Sequence, residues 1–172
     1  AGAQIDASGP DGGGQIHIGG NARGNGPLPN SQGTYVDGGT TLTADATAIG
    51  NGGQVVVWSD RATGYYGAIS AQGGSAGGNG GWVEVSGKQL LAFNGQVSTL
   101  APHGTAGLLL LDPDTITIGT ATTDDASATA IFNAGASDFV FSHGKIESLL
   151  ATSDVELHAT TITVQASGLT AP

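Results

Sequence analysis

Gly53-Gln54-Val55-Val56-Val57 and Gly81-Trp82-Val83-Glu84-Val85 share one shape, a glycine followed by a short strand of alternating residues. Gly14-Gln15-Ile16-His17-Ile18 precedes them and Gly107-Leu108-Leu109-Leu110-Leu111 follows. The four glycines are 39, 28 and 26 residues apart. A second set lies ahead of each: Ile5-Asp6-Ala7, Leu42-Thr43-Ala44, Ile69-Ser70-Ala71 and Val97-Ser98-Thr99, spaced by 37, 27 and 28. Two independent markers therefore report one period. A strand pair of this length cannot bury its apolar side alone, but stacked copies can. The spacing predicts an all-β chain, a parallel β-solenoid of about 26–28 residues per coil, with coils about 4.8 Å apart. The rival reading, a β-sandwich, wants strands every 8–12 residues and no long common period.

The pattern divides the chain. Residues 1–118 carry the coils, with a loop excursion at 20–38, where Pro27, Pro29 and several Gly and Asn lengthen the first interval. Residues 119–154 lose the glycine rhythm and read as an irregular segment covering one flank. Its best helical stretch lies near 143–151, where Ile146, Leu149 and Leu150 share a face. Residues 155–172 return to strands through Val155-Glu156-Leu157 and Ile162-Thr163-Val164.

Inward positions are Ile16, Ile18, Val55, Val57, Val83, Val85, Leu109 and Leu111, joined by Ile5, Ala7, Leu42, Ala44, Ile69, Ala71 and Val97. Outward, one column runs Gln15, Gln54, Trp82, Leu108 and its neighbour runs His17, Val56, Glu84, Leu110. A face that grows apolar should be covered. Trp82, Leu108 and Leu110 are the expected packing residues, and the chain after Ile118 is the expected cover.

Composition narrows the function classes. The 172 residues include 31 glycines and no cysteine, so no disulfide framework and no Cys-based zinc site is expected. Fourteen acids against four bases (Arg23, Arg61, Lys88, Lys145) give a net charge of −10. That balance excludes the basic stripe nucleic acid needs and disfavours anionic membrane surfaces. No apolar run is long enough for a membrane-spanning helix, so no membrane insertion is expected. Ala1 opens directly on the pattern, as an internal piece of a longer chain would.

The motifs that carry chemistry are weak. Ser86-Gly87-Lys88-Gln89 lacks the glycine spacing and the hydroxyl of a phosphate loop. Gly77-Gly78-Asn79-Gly80-Gly81-Trp82 puts a tryptophan where a calcium-binding nonapeptide needs aspartate. Asp112 with Asp114, or Asp6 with Asp11, are the carboxylate pairs that could meet a hard cation, and they read better as solvated turn acids. The four histidines match no metal pattern. Neither a metal nor a cofactor is expected.

Gly12-Gly13-Gly14-Gln15-Ile16-His17-Ile18-Gly19-Gly20, Gly50-Asn51-Gly52-Gly53-Gln54-Val55-Val56-Val57-Trp58-Ser59-Asp60 and Gly78-Asn79-Gly80-Gly81-Trp82-Val83-Glu84-Val85-Ser86-Gly87-Lys88 resemble phrases of the filamentous-haemagglutinin-like exoproteins of two-partner secretion. So do Gly64 to Gly74 and Gly107-Leu108-Leu109-Leu110-Leu111-Asp112-Pro113. Their order matches as well as their content, from Ala1 to Ile118. The resemblance implies a right-handed parallel β-helix, extracellular or held at a bacterial cell surface. It implies a non-catalytic adhesin shaft or filament segment. The parent protein would pass an outer-membrane two-partner transporter and meet glycans or proteins of a host or neighbouring cell. The family's amino-terminal secretion domain has no recognisable counterpart here, so the resemblance implies that this piece would be an internal or distal segment.

Two alternatives stay open beside the shaft, whose coil edges could also associate end to end. One is a glycan-binding module using exposed aromatics, with Tyr65, Tyr66, Tyr35 and Trp58 as candidates. The other is a polysaccharide-cleaving enzyme. Asp124-Asp125 and Ser142-His143-Gly144 resemble fragments of polygalacturonase-like glycosidases, where paired carboxylates act as acid and base. That family's Asn-Thr-Asp and Arg-Ile-Lys are missing, so the chain is not expected to be an enzyme.

Overall fold

The computed structural model describes residues 2–120 and 139–165. Within these residues the fold is mainly β, with parallel sheets and one α-helix. The strands come in successive threes. The first three are β1 (Gln4–Asp6), β2 (Gln15–Ile18) and β3 (Gly33–Val36). Next are β4 (Thr41–Thr43), β5 (Gln54–Ser59) and β6 (Ala62–Tyr65), then β7 (Ala68–Ser70), β8 (Trp82–Gly87) and β9 (Leu90–Phe93). The fourth set is β10 (Gln96–Ser98), β11 (Leu108–Leu111) and β12 (Thr115–Gly119). Then follow β13 (Val140–Ser142), α1 (His143–Leu150), β14 (Asp154–Leu157) and β15 (Thr161–Val164). A 3-10 turn, Ala22–Gly24, interrupts the path from β2 to β3.

In three sheets each strand pairs in parallel with the strand three places on. The sheet orders are β1-β4-β7-β10, β2-β5-β8-β11-β14 and β3-β6-β9. Register follows the sequence period: Gln15 pairs Gln54, Gln54 pairs Trp82, and Trp82 pairs Leu108. In the fourth sheet, β13-β12-β15, β12 and β15 keep this spacing, but β13 pairs with the strand just before it. There β13 runs beside Thr117–Gly119 of β12, and the Phe141 ring stacks on Phe93 of β9 at 6.3 Å.

One contiguous apolar core contains side chains from all four sheets, among them Leu42, Val55, Phe93 and Ile116. The inward columns fill it. Val55, Val83 and Leu109 are fully buried on one column and Val57, Val85 and Leu111 on the next. Ile5, expected inside, is exposed because β1 has no neighbour on its outer side. At the other edge Ile162 and Val164 of β15 are exposed.

The marker glycines hold the corner before the second sheet. Gly14, Gly53, Gly81 and Gly107 each donate their N–H to the strand just before, to the carbonyls of Ala7, Ala44, Ala71 and Thr99 at 2.7–2.8 Å. They also stack on one another. A Cβ on Gly53 would meet the carbonyl oxygen of Gly14, one on Gly81 that of Gly53, and one on Gly107 that of Gly81. Close backbone approach, repeated in every layer, is why glycine recurs at this interval.

The structure adds a third strand to each repeat. β3 occupies the second half of the expected excursion, and β6 and β9 stack on it. At this corner Thr34 and Thr63 turn their hydroxyls back to the carbonyls of Trp58 and Ser86, at 2.7 and 2.8 Å. Buried carbonyls at the strand ends are thereby satisfied.

The helix falls where expected. Ser142 caps it, its hydroxyl accepting the Lys145 N–H at 3.0 Å. It packs on β10, β13 and β14, which places it on the free edge of the first sheet. The Thr99 N–H donates to Thr152 O at 2.9 Å and the Thr152 hydroxyl to Val97 O at 2.6 Å. α1 therefore does not cover the Trp82–Leu108 column. Trp82 and Leu108 are half-buried and flank an open groove of about 600 Å³ beside the glycine corner, whereas Leu110 is fully buried. The rest of the expected cover, residues 121–138, lies outside the described residues.

Candidate functional site

The aromatic candidates divide into two kinds. Tyr65 ends β6 with its side chain inward and fully buried, its ring stacked on Phe93 at 5.8 Å. Burial pushes its phenol well above the usual tyrosine range, and its hydroxyl has no hydrogen-bond partner. Trp58 is 5% exposed, because the excursion folds over its ring. A Cβ on Gly24 would lie 2.6 Å from Trp58 Cζ2. These two are core and cover residues, which corrects their reading as exposed ligand-binding rings. Tyr35 and Tyr66 are half-buried and pair with each other, ring centroids 5.8 Å apart and tilted by 43°.

The polar site lies on the outward face of the second sheet. Val56, Glu84 and Leu110 share one outward column and are all fully buried. Over Glu84 sits the 3-10 turn of the excursion. Arg23, at φ 54, has the only positive φ of a non-glycine residue among the described residues. Its N–H donates to both Glu84 oxygens, at 3.2 and 3.0 Å. The Ser86 hydroxyl donates to Glu84 Oε1 at 3.0 Å. Burial pushes the Glu84 carboxyl up, nearby Asp112 adds to this, and the two hydrogen bonds oppose it.

The excursion is tied down at its other end as well. Asn30 Nδ2 donates to Gly24 O and to Asp60 Oδ1, both at 3.0 Å, and Trp58 Nε1 donates to the same Asp60 oxygen at 3.2 Å. Ser31 N–H reaches Gly19 O at 2.7 Å. The excursion is thus a fastened cover, and beside it opens a cleft of about 340 Å³. Arg23, Asp60, Lys88, Asp112 and Asp114 line it. Lys88 arrives on the turn after β8, and the two aspartates flank Pro113 after β11.

The remaining candidates do not converge. His143 is the first residue of α1, and Ser142-His143-Gly144 is read structurally as a helix start. Asp124 and Asp125 lie outside the described residues. In a local turn the Ser8 side chain, and then the Ser8 N–H at 2.8 Å, lower the Asp6 carboxyl. Among the described residues no three His, Asp or Glu side chains are placed to hold a metal ion. No helix among them is long and apolar enough to cross a membrane.

Arg23, Asp60, Glu84 and Lys88 were not singled out as a site from the sequence. The available signal was Glu84 itself, a carboxylate in a column shared with Val56 and Leu110. Compared with known proteins, the chain matches no family model and no curated protein.

Proposed function

We propose that this chain is a shaft segment of a secreted bacterial surface adhesin, built as a right-handed parallel β-helix of the filamentous-haemagglutinin-like kind. The observation that carries this reading is the strand order, in which each strand of three sheets pairs in parallel with the strand three places on. A chain winding around one core, one turn per three strands, produces that order. Parallel crossovers are right-handed in about 98% of cases, which favours that hand. The order of glycine-marked phrases from Ala1 to Ile118 supports the family reading.

In this role the segment is non-catalytic. It holds a binding surface away from the cell, and its parent protein meets glycans or proteins of a host or neighbouring cell. Export would use the outer-membrane partner transporter. Open edges at β1 and β15 are surfaces on which further coils, or a second copy end to end, could stack.

The test has two parts. Electron microscopy of the purified chain across a concentration series should give short rods or filaments with an axial repeat of about 4.8 Å. Fused behind the secretion domain of a two-partner exoprotein and expressed with its transporter, the chain should reach the medium folded. Globular particles without that repeat, or retention and degradation inside the cell, would sink the proposal.

A further inference from the structure

The cleft beside the 3-10 turn gathers charge in a chain that has little. The sequence holds four bases and fourteen acids. Two of those bases, Arg23 and Lys88, line this one cleft together with Asp60, Asp112 and Asp114. Yet among the described residues the side chains of Arg23, Lys88, Asp112 and Asp114 make no hydrogen bond or close ion pair, although Arg23 and Asp112 both lie near enough to Glu84 to act on its carboxyl. Side chains of opposite sign that share a cleft without pairing leave both donors and acceptors available to a ligand.

We propose that this cleft binds a neutral, hydroxyl-rich saccharide. The lining offers donors without acceptor capacity (Arg23, Lys88) and acceptors without protons (the three aspartates). A saccharide hydroxyl both donates and accepts, so each one can meet either kind of group. Other chemistries fit less well. Three negative and two positive side chains leave one net negative charge. A sulfated or uronic-acid ligand meets that excess of carboxylates. A divalent cation meets Arg23 and Lys88, which repel it. A small zwitterion would rely on Arg23, Lys88 and Asp114, which are exposed, so solvent and salt screen its charges there. An apolar ligand finds the Trp58 ring already covered by Gly24. The volume, about 340 Å³, lies at the small end of ligand pockets and suits a short saccharide.

Part of the lining is pre-formed. Arg23 is held at its unusual φ by Glu84, and Asp60 is fixed by Asn30 and Trp58. Pre-organisation of this kind lowers the ordering cost of binding. The proposal does not depend on the shaft reading, since the cleft would be the same on an isolated domain.

The test is amide NMR of the full chain titrated with neutral hexose di- and trisaccharides. A uronate disaccharide, calcium chloride and glycine serve as competing probes. The expected result is saturable shifts at residues 23–30, 60, 88 and 112–114 with a neutral saccharide, at least tenfold weaker in Lys88→Ala and Asp114→Ala. Both variants remove exposed side chains without partners, and the same spectra report whether the fold persists. The proposal is overturned by no cleft shifts with any neutral saccharide. It is equally overturned by shifts only with the uronate, calcium or glycine, or by binding unchanged in both variants.

Discussion

The backbone N–H of Arg23 donates to both carboxylate oxygens of Glu84, 61 residues later in the chain. This contact fastens the excursion to the outward face of β8. It also fixes a non-glycine residue at positive φ, a conformation that persists only when its surroundings enforce it. Glu84→Ala leaves that part-buried N–H without its acceptor, and the expected loss is about 1–3 kcal/mol. Glu84→Gln keeps one acceptor oxygen and removes a buried charge, so its cost should stay under about 1 kcal/mol. Denaturant unfolding of the two variants separates them. Equal losses would mean that the charge, not the acceptor, holds the turn.

The same carboxyl sets a pH dependence. Its pKa is raised in the fold, chiefly by burial. The folded state therefore holds the proton more tightly than the unfolded state does. Its contribution to stability is full below the ordinary carboxyl range, at about pH 4, and falls as pH rises through the folded pKa. Unfolding curves across this range should show wild type losing stability relative to Glu84→Gln as pH rises. A difference that is flat with pH, or that grows in wild type's favour, would show that Glu84 titrates normally or is stabilised as the anion.

The glycine corner makes a sharper prediction. In Gly81→Ala and Gly107→Ala the new Cβ meets a carbonyl oxygen of the preceding layer. Backbone cannot yield locally in a stack whose layers are hydrogen-bonded, so each substitution should cost about 3 kcal/mol or more. Gly144→Ala is the control. It lies in α1 with nothing within 4 Å of the added Cβ, and should stabilise by about 0.5–1 kcal/mol. Thermal unfolding of the three proteins tests the contrast. A mild Gly81→Ala would mean that the corner is looser than its hydrogen bonds imply.

Much of the stacking was legible because both markers count the same layers. The 39, 28 and 26 residue intervals between glycines equal the register offsets from Gln15 to Gln54, Trp82 and Leu108. The third strand was hidden for a physical reason. Ala62-Thr63-Gly64-Tyr65 is buried on both faces, so no polar alternation marks it as a strand. The cleft was hidden because residues 23, 60, 88 and 112–114 meet only after four layers are stacked.

Tyr65 gives a test of the corrected reading of the aromatics. Its buried hydroxyl has no partner, so Tyr65→Phe should be neutral or stabilising by about 1 kcal/mol. Tyr65→Ala empties part of the core and should cost about 3–5 kcal/mol. In an alkaline titration followed by phenolate absorbance, Tyr65 should keep its proton past about pH 10, where free tyrosine ionises. Tyr65→Phe should remove that late step. Early ionisation of all three tyrosines would place Tyr65 at the surface after all.

Lys145 links α1 to the sheet edge it closes. Its Nζ donates to the carbonyls of Asn94 and Gly95, just before β10, and lies 5.7 Å from the centre of the Phe93 ring. Hydrogen bonds from a charged group are worth about 1.5–3 kcal/mol, and a cation over an aromatic face about 0.5–1 kcal/mol at an exposed site. Lys145→Ala should therefore free the helix before the rest of the chain unfolds. Amide exchange should rise through residues 145–152 and at Thr99, whose N–H donates to Thr152, while Val83 and Leu109 stay protected. With α1 loosened, β10 presents an unpaired parallel edge, the kind that templates pairing between chains. Light scattering of the variant should then rise more steeply with concentration than that of wild type. Faster exchange at Val83 and Leu109 as well would mean that the helix is part of the global folding unit rather than a cover on the edge.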